Sequence, residues 1–281
     1  MQQLMQNLIE SNESNGEIPE GCFLNESDGL VYCEKCQKQK QVAITWMGVP
    51  HIVNCQCECE TKVNAETRMA HMEANRLVKV RAARNICFGE ATKMYDWTFD
   101  RFEVTSNNSK NHKIGLKYAQ NFSQMKCENI GLNLCGNKGT GKTYLAACIA
   151  NAVIDKGYSV YFRTMDQLVG QVFKSFDKNT EVSEICSYDL LIIDEFGTEA
   201  ETSTVQQYVY DIINTRVVQK KPFIITTNVI TPEKERMTMA DQRIYSRFGE
   251  ALMTIAFTGA DMRERIHETK ADIFKRLLQG E

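Results

Sequence analysis

Residues 136–143 read GNKGTGKT, directly after the apolar run IGLNLC. Three glycines, two lysines and two threonines in so short a stretch suit neither a helix interior nor a strand interior. They suit a loop whose backbone N–H groups curl around phosphate oxygens at the positive end of a following helix. The spacing is G-x-x-x-x-G-K-[ST] without departure, between an expected strand and an expected helix, as that mechanism requires. Lys142 is expected to reach the β- and γ-phosphates of a nucleoside triphosphate, and the Thr143 hydroxyl to hold Mg²⁺. The expected phosphate-contacting set is Gly136, Asn137, Lys138, Gly139, Thr140, Gly141, Lys142, Thr143 and Tyr144.

Two further stretches supply the groups that hydrolysis of a triphosphate needs. In LLIIDEFG, residues 190–197, an apolar strand ends in two carboxylates. Asp194 at the strand tip is placed for the Mg²⁺ shell, and Glu195 for polarising a water. In PFIITTN another apolar strand ends at Asn228, whose amide can orient that water. RIYSRFGE puts Arg243 and Arg247 at i, i+4 on one helix face. A guanidinium suits the spread charge of a phosphoryl-transfer transition state, so one of this pair can join Lys142, Glu195 and Asn228 as an expected catalytic residue; the resemblance described below implies Arg247. Arg263, in GADMRER, follows the last expected strand and is a candidate nucleotide contact.

A second chemistry lies upstream. Of eleven cysteines, five fall between Cys33 and Cys59, as CEKC at 33–36 and CQCEC at 55–59. Two thiolates from a tight CxxC turn and a second nearby pair can close a tetrahedron around Zn²⁺. The expected ligands are Cys33, Cys36, Cys55 and Cys57, with Cys59 an alternative to Cys57 and His51 a poorer one. Four sulfurs leave no open coordination position, so the role is structural. A segment this small cannot build a sufficient core, and metal would supply folding free energy. The scattered cysteines, in mostly apolar contexts, read as small core residues.

The elements that must position these groups alternate. From about residue 86 onward, apolar strands alternate with helices, which implies a parallel sheet covered on both faces. The strands are IGLNLC, YSVYFRT, DLLIID, PFIITTN and LMTIAFTG. Helices are expected over KNHKIGLKYAQNFSQM, KTYLAACIANAVIDKG, MDQLVGQVFKSF, TVQQYVYDIINTRVVQK, ADQRIYSRFGE and the terminal ADMRERIHETKADIFKRLLQ. Residues 61–85 lack Gly and Pro and read as one linking helix, basic at its end through Arg76, Lys79, Arg81 and Arg84. Residues 1–30 carry acidic side chains and no basic one and read as a flexible or partner-ordered arm. With 281 residues, a net charge of −3 and 43% hydrophobic content, the chain is of ordinary globular type, and an overall basic nucleic-acid coat is excluded. It has neither a secretory leader nor a run of about 18 apolar residues, so no membrane role and a cytoplasmic location are expected.

Taken in order, GNKGTGKT, LLIIDEFG, TTN and SRF resemble AAA+ ATPases over residues 128–270, and most of all the DnaC and DnaI helicase loaders of the IstB/DnaC-like group. ICFGEATKMYDWTFDRF resembles the segment these loaders carry before the core. The resemblance implies an α/β fold, an AAA+ P-loop core with a short lid, preceded by a small zinc-binding N-terminal domain. It implies three regions: 1–60, an acidic arm and zinc-binding, helicase-interacting domain; 61–85, a linker helix; 86–281, the ATPase domain with reduced lid. The implied function is ATP-dependent loading of a DnaB-like hexameric replicative helicase onto single-stranded DNA, with ATP, Mg²⁺ and Zn²⁺ as cofactors and self-association through the ATP site. Arg247 would act in trans on a neighbouring copy, and Arg263 would stand as the second sensor. An extra helix within residues 164–185 would line a DNA path, with Lys174 and Lys178 as candidate phosphate contacts. The alternatives are a transposition helper ATPase and a helicase-binding regulator without loading activity.

Overall fold

A computed structural model describes residues 18–197, 202–229, 237–259, 261, 262, 274–276 and 278. The start of the acidic arm, Arg263 and most of the expected terminal helix lie outside the described residues. The chain divides into two units, Met1–Val78 and Lys79–Glu281.

The first unit opens with two antiparallel hairpins that the sequence pattern does not announce. Strands β1 (Cys22–Leu24) and β2 (Val31–Cys33) pair with Cys22 opposite Cys33. Strands β3 (Gln41–Trp46) and β4 (Val49–Asn54) pair with Trp46 opposite Val49. Helix α1 runs over Glu58–Phe88, longer at both ends than the expected 61–85. Most of it is polar and exposed, as a solvent-bridging helix is. Only its last turns, which belong to the second unit, pack apolar side chains, with Cys87 and Phe88 buried. Among the described residues no helix is long and apolar enough to cross a membrane.

The second unit is built on five parallel strands. They are β5 (Gly131–Gly136), β6 (Val160–Thr164), β7 (Leu190–Phe196), β8 (Phe223–Thr227) and β9 (Leu252–Phe257), in the order β6-β7-β8-β5-β9. The central strands are apolar on both faces because both faces are covered. Leu190 through Ile193 are all fully buried. One face packs against helices α2 (Ser109–Gln120), α3 (Phe122–Cys127) and α4 (Lys142–Asp155). The other packs against α5 (Met165–Lys174), α6 (Lys178–Ile185), α7 (Ser203–Val218) and α8 (Met239–Ala251).

One helix expected as a single piece, KNHKIGLKYAQNFSQM, is broken. Between α2 and α3, Asn121 leaves the helical conformation and its Nδ2 donates to the Lys117 carbonyl at 2.9 Å. Such a side chain offers the backbone an alternative to the helical ladder. In residues 164–185, α5 falls on the expected MDQLVGQVFKSF helix and a second helix, α6, follows it. Thr164 and Gln167 form a capping box at the start of α5, and the Asp177 carboxylate accepts from the Asn179 and Thr180 amides at 3.1 and 3.2 Å to start α6.

Candidate functional site

Three adjacent strands, β7, β8 and β5, end on one side, where ligands of open α/β sheets bind. β5 delivers the glycine loop. At Gly136 the backbone has φ +136°, and a Cβ there would sit on the Phe257 carbonyl oxygen of β9. At Gly139, with φ +71°, a Cβ would collide with the Asp261 carboxylate, while the Met262 amide donates to the Gly139 carbonyl at 3.0 Å. Glycine is therefore required at both places by close approach as well as by backbone angle. The Thr140 hydroxyl donates to the Asn137 carbonyl at 2.8 Å, which tightens the loop.

The Lys142 ammonium is buried and donates to the Gly136 carbonyl at 2.8 Å, the Asn137 carbonyl at 2.7 Å and Asn228 Oδ1 at 3.0 Å. That last contact ties the β5 loop to the end of β8. Thr143 Oγ1 donates to Asp194 Oδ1 at 2.9 Å, and Thr226 Oγ1 donates to the same oxygen. Burial pushes the Asp194 carboxyl above its ordinary range, against hydrogen bonds from Thr226, Thr143 and the Glu195 amide and the charge of Lys142. The Glu195 side chain is exposed to the cavity, on a left-handed backbone of φ +57°.

Of these groups Gly139, Thr140, Lys142, Thr143, Glu195, Thr226 and Asn228 line a cavity of about 780 Å³ that also takes in Lys138, Lys93, Trp97, Arg101, Phe102, Glu103 and Met262, and Asp194 is joined to its wall through the Thr143 hydroxyl. Its apolar end is aromatic. Trp97 stacks on Tyr144 at 4.7 Å and 10°, Phe102 meets Tyr144 edge-on at 5.3 Å, and Tyr144 Oη donates to the Arg101 carbonyl at 3.2 Å. The volume and the mixture of apolar wall and convergent polar groups are those of a nucleotide-sized site. The residues present fit a triphosphate with Mg²⁺: Thr143 and Asp194 would be the oxygen ligands, and Lys142 and the loop amides the phosphate contacts. Trp97, Phe102 and Thr226 were not singled out from their residue types. The first two lie in the YDWTFDRF segment, whose resemblance to loader sequences was their only signal.

Arg247 is not among the residues lining this cavity. Its Nη1 lies 3.0 Å from Glu250 Oε2 on the same helix, and Tyr210 of α7 also bonds to it. Arg243 stacks over the Tyr210 ring at 4.0 Å. At the α5–α6 junction, Lys178 Nζ donates to the Ser175 carbonyl at 3.3 Å and lies 5.8 Å from the Phe173 ring centre. Phe173 and Phe176 beside it are exposed, as large apolar side chains seldom are. On α1, Arg76 pairs with Glu73 at 2.9 Å, and Arg84 with Asp155 at 2.9 Å.

In the first unit the cysteines gather, with one change from the expected set. Cys33, Cys36, Cys57 and Cys59 bring their sulfurs within 4.8 Å of one another. Cys55 stands outside: its amide donates to the Lys40 carbonyl at 2.7 Å, and its thiol points to the Gln39 carbonyl at 3.5 Å. The ladder next to β4 fixes that direction, so Cys59, in the first turn of α1, takes the place expected for Cys55. His51 is likewise outside the group. Cys59 lies 3.1, 3.5 and 3.6 Å from the sulfurs of Cys57, Cys33 and Cys36. Four sulfurs at about 2.3 Å from a tetrahedral Zn²⁺ would stand about 3.8 Å apart, so the cluster fits that ion with small adjustment. The Cys36 amide helps pull the Cys33 thiol down to about 6, while bonds to Cys57 and Cys33 push Cys59 up to about 12.

Comparison with known proteins follows the same geometry. The family described as IstB-like ATP binding protein matches residues 56–253. The chain belongs to that family. Its likeness to DnaC-type loaders is direct as well. The replicative helicase loader DnaC of Buchnera aphidicola is 27% identical over 60% of this chain and 70% of that protein. The uncharacterized protein YdaV of Escherichia coli is 26% identical over 53% of this chain and 60% of its own length, less than two thirds of it. A crystal structure of the DnaC helicase loader superposes with a TM-score of 0.52 at 19% identity, covering 60% of this chain and all of that one. The IstB-like core here is thus an AAA+ fold, with a cysteine cluster compatible with zinc ahead of it.

Proposed function

We propose that this IstB-like protein is an ATPase that loads a hexameric, DnaB-like replicative helicase onto single-stranded DNA. The observation that carries the reading is the convergence of Lys142, Thr143, Asp194, Glu195 and Asn228 at three neighbouring strand ends around one cavity. Lys142 and the loop amides hold the phosphates, and Thr143 and Asp194 hold Mg²⁺. Bound Mg²⁺ neutralises charge on the phosphate oxygens. Glu195 accepts the proton of the attacking water, and Asn228 orients that water. Arg247 serves the site of an adjacent copy, and Arg263 remains a proposed nucleotide contact.

Partner roles follow from surface chemistry and from the relatives. Exposed Phe173 and Phe176, interleaved with Lys174 and Lys178, combine stacking rings with phosphate-seeking charges, as single-strand binders do. On the β3–β4 hairpin, Val42, Ile44 and Trp46 share one face with Val49 and Val53, all exposed. A lone two-stranded hairpin with an apolar face gains from a covering partner, and the helicase is the partner proposed. Zn²⁺ on Cys33, Cys36, Cys57 and Cys59 holds that unit together. The protein acts in the cytoplasm.

The test uses the purified chain with a DnaB-type helicase on single-stranded DNA coated with binding protein. Helicase loading is expected with ATP and Mg²⁺. Lys142→Ala is expected to abolish nucleotide binding, and Glu195→Gln to retain binding and lose turnover. Unchanged nucleotide affinity in Lys142→Ala removes the ATPase reading, and helicase inhibition without loading replaces the loader by a regulator. The family match also favours a second reading, a transposition helper, which capture of a transposase in place of the helicase would establish.

A further inference from the structure

Strand β7 is irregular at one place only among its described pairings with β8. Ile193 lies opposite Ile225 and Phe196 opposite Thr227, so Asp194 and Glu195 together face the single residue Thr226. Two residues against one is a bulge, and a bulge interrupts the ladder. Here the Glu195 amide turns to a side chain instead. It donates to Thr226 Oγ1 at 3.1 Å. The same hydroxyl donates its own proton to Asp194 Oδ1, which also accepts from Thr143 Oγ1 at 2.9 Å. Thr226 is 2% exposed, so water does not compete for either bond.

One hydroxyl therefore accepts from the backbone of one functional carboxylate and donates to the side chain of the other. We propose that Thr226 is a positioning residue of the nucleotide site. It holds Glu195 in its left-handed conformation and aims the Asp194 carboxylate at the metal position. The inference rests on the nucleotide-site reading above and adds a residue to it. Only a side chain that both donates and accepts at one atom, on a buried strand, does both tasks, which restricts the position to Thr or Ser. Val has the same shape without either bond. The left-handed backbone at Glu195 is uncommon for a residue other than Gly and persists only where neighbours over-determine it. The Thr226 acceptor is such a neighbour.

The test compares Thr226→Val, Thr226→Ser and Thr226→Ala in the full chain, using a fluorescent ATP analogue titrated with and without Mg²⁺ and single-turnover hydrolysis of ATP. Thr226→Val is expected to bind the analogue without Mg²⁺ within about twofold of wild type, because the glycine loop and Lys142 are untouched. Its Mg²⁺ half-saturation is expected to rise, and its hydrolysis to fall, each by about tenfold, the equivalent of one hydrogen bond. Thr226→Ser is expected to stay near wild type on both readouts. Wild-type Mg²⁺ dependence and rate in Thr226→Val overturn the proposal, as does a Ser variant as impaired as the Val variant. Should the Val variant fail to fold, the Ala and Ser pair decides: both lack the methyl group, so equal behaviour of the two overturns the hydroxyl's role. A wild-type protein without Mg²⁺-dependent nucleotide binding would instead sink the nucleotide site itself.

Discussion

Lys142 and Asn228 sit on different strand ends, yet one hydrogen bond joins them. The bond makes Asn228 a partner of the lysine proposed to bind phosphate as well as the amide proposed to orient water, and the two proposed roles separate by mutation. Lys142 keeps the Gly136 and Asn137 carbonyls when Asn228 is lost. Asn228→Ala is therefore expected to bind ATP within about threefold of wild type and to hydrolyse it at least about a hundredfold more slowly, read by equilibrium binding and single-turnover rates. Far from the site, Arg216 is fully buried and gathers the carbonyls of Cys186, Tyr188, Asp189 and Pro222, which precede β7 and β8. Burial pulls its guanidinium down to about 10, so it is still charged at neutral pH. Arg216→Met would take the buried donor away from all four, leaving Lys221 Nζ at 3.4 Å on the Cys186 carbonyl. It is expected to cost about 3 kcal/mol or more, and to lower the melting temperature by roughly 6–12 °C in a scanning calorimeter.

At the scale of elements, the start of α1 is where metal and helix meet. Cys57 precedes the helix and Cys59 lies in its first turn, so one short peptide supplies two sulfurs from two directions. Cys59→Ser is expected to lose Zn²⁺ and the protection of the first unit against proteolysis, whereas Cys55→Ser keeps both; zinc content and limited proteolysis read the difference. Zinc lost in Cys55→Ser and kept in Cys59→Ser would restore the spacing-based ligand set. Spacing could not separate these cysteines, because the ligands are chosen by where the β4 ladder and the helix start point each thiol. The core strands were legible for the opposite reason: strands buried on both faces are apolar throughout, whatever their neighbours. The glycine loop and the strand-end Asp194, Glu195 and Asn228 were legible because their chemistry restricts residue type and place. Thr226 was not, since a threonine in a strand is ordinary and only the bulge opposite it gives it work. The three-residue strands β1 and β2 are too short to carry a period.

For the whole molecule the decisive residue is Arg247. It sits on α8 beside Tyr210 and Glu250, outside the residues that line its own chain's cavity. An arginine so placed is proposed to serve phosphoryl transfer at the site of another copy. The ion pair with Glu250 does not prevent this, because an exposed, solvent-screened pair is weak beside the charge-assisted bonds that a phosphate offers a guanidinium. Trans action has a signature that cis action lacks. Arg247→Ala retains its own glycine loop, and Lys142→Ala retains its own arginine, so each alone is expected to be inactive. Mixed in equal amounts with ATP, Mg²⁺ and single-stranded DNA, they are expected to recover a substantial fraction of wild-type hydrolysis. In the mixture an Arg247→Ala copy binds ATP while a Lys142→Ala neighbour provides the guanidinium. The recovered rate is expected to rise with total protein concentration, since the competent site forms only between copies. Two inactive variants that stay inactive when mixed, under conditions where light scattering shows wild-type chains associating, would return Arg247 to its own chain and leave the transition-state charge to other residues.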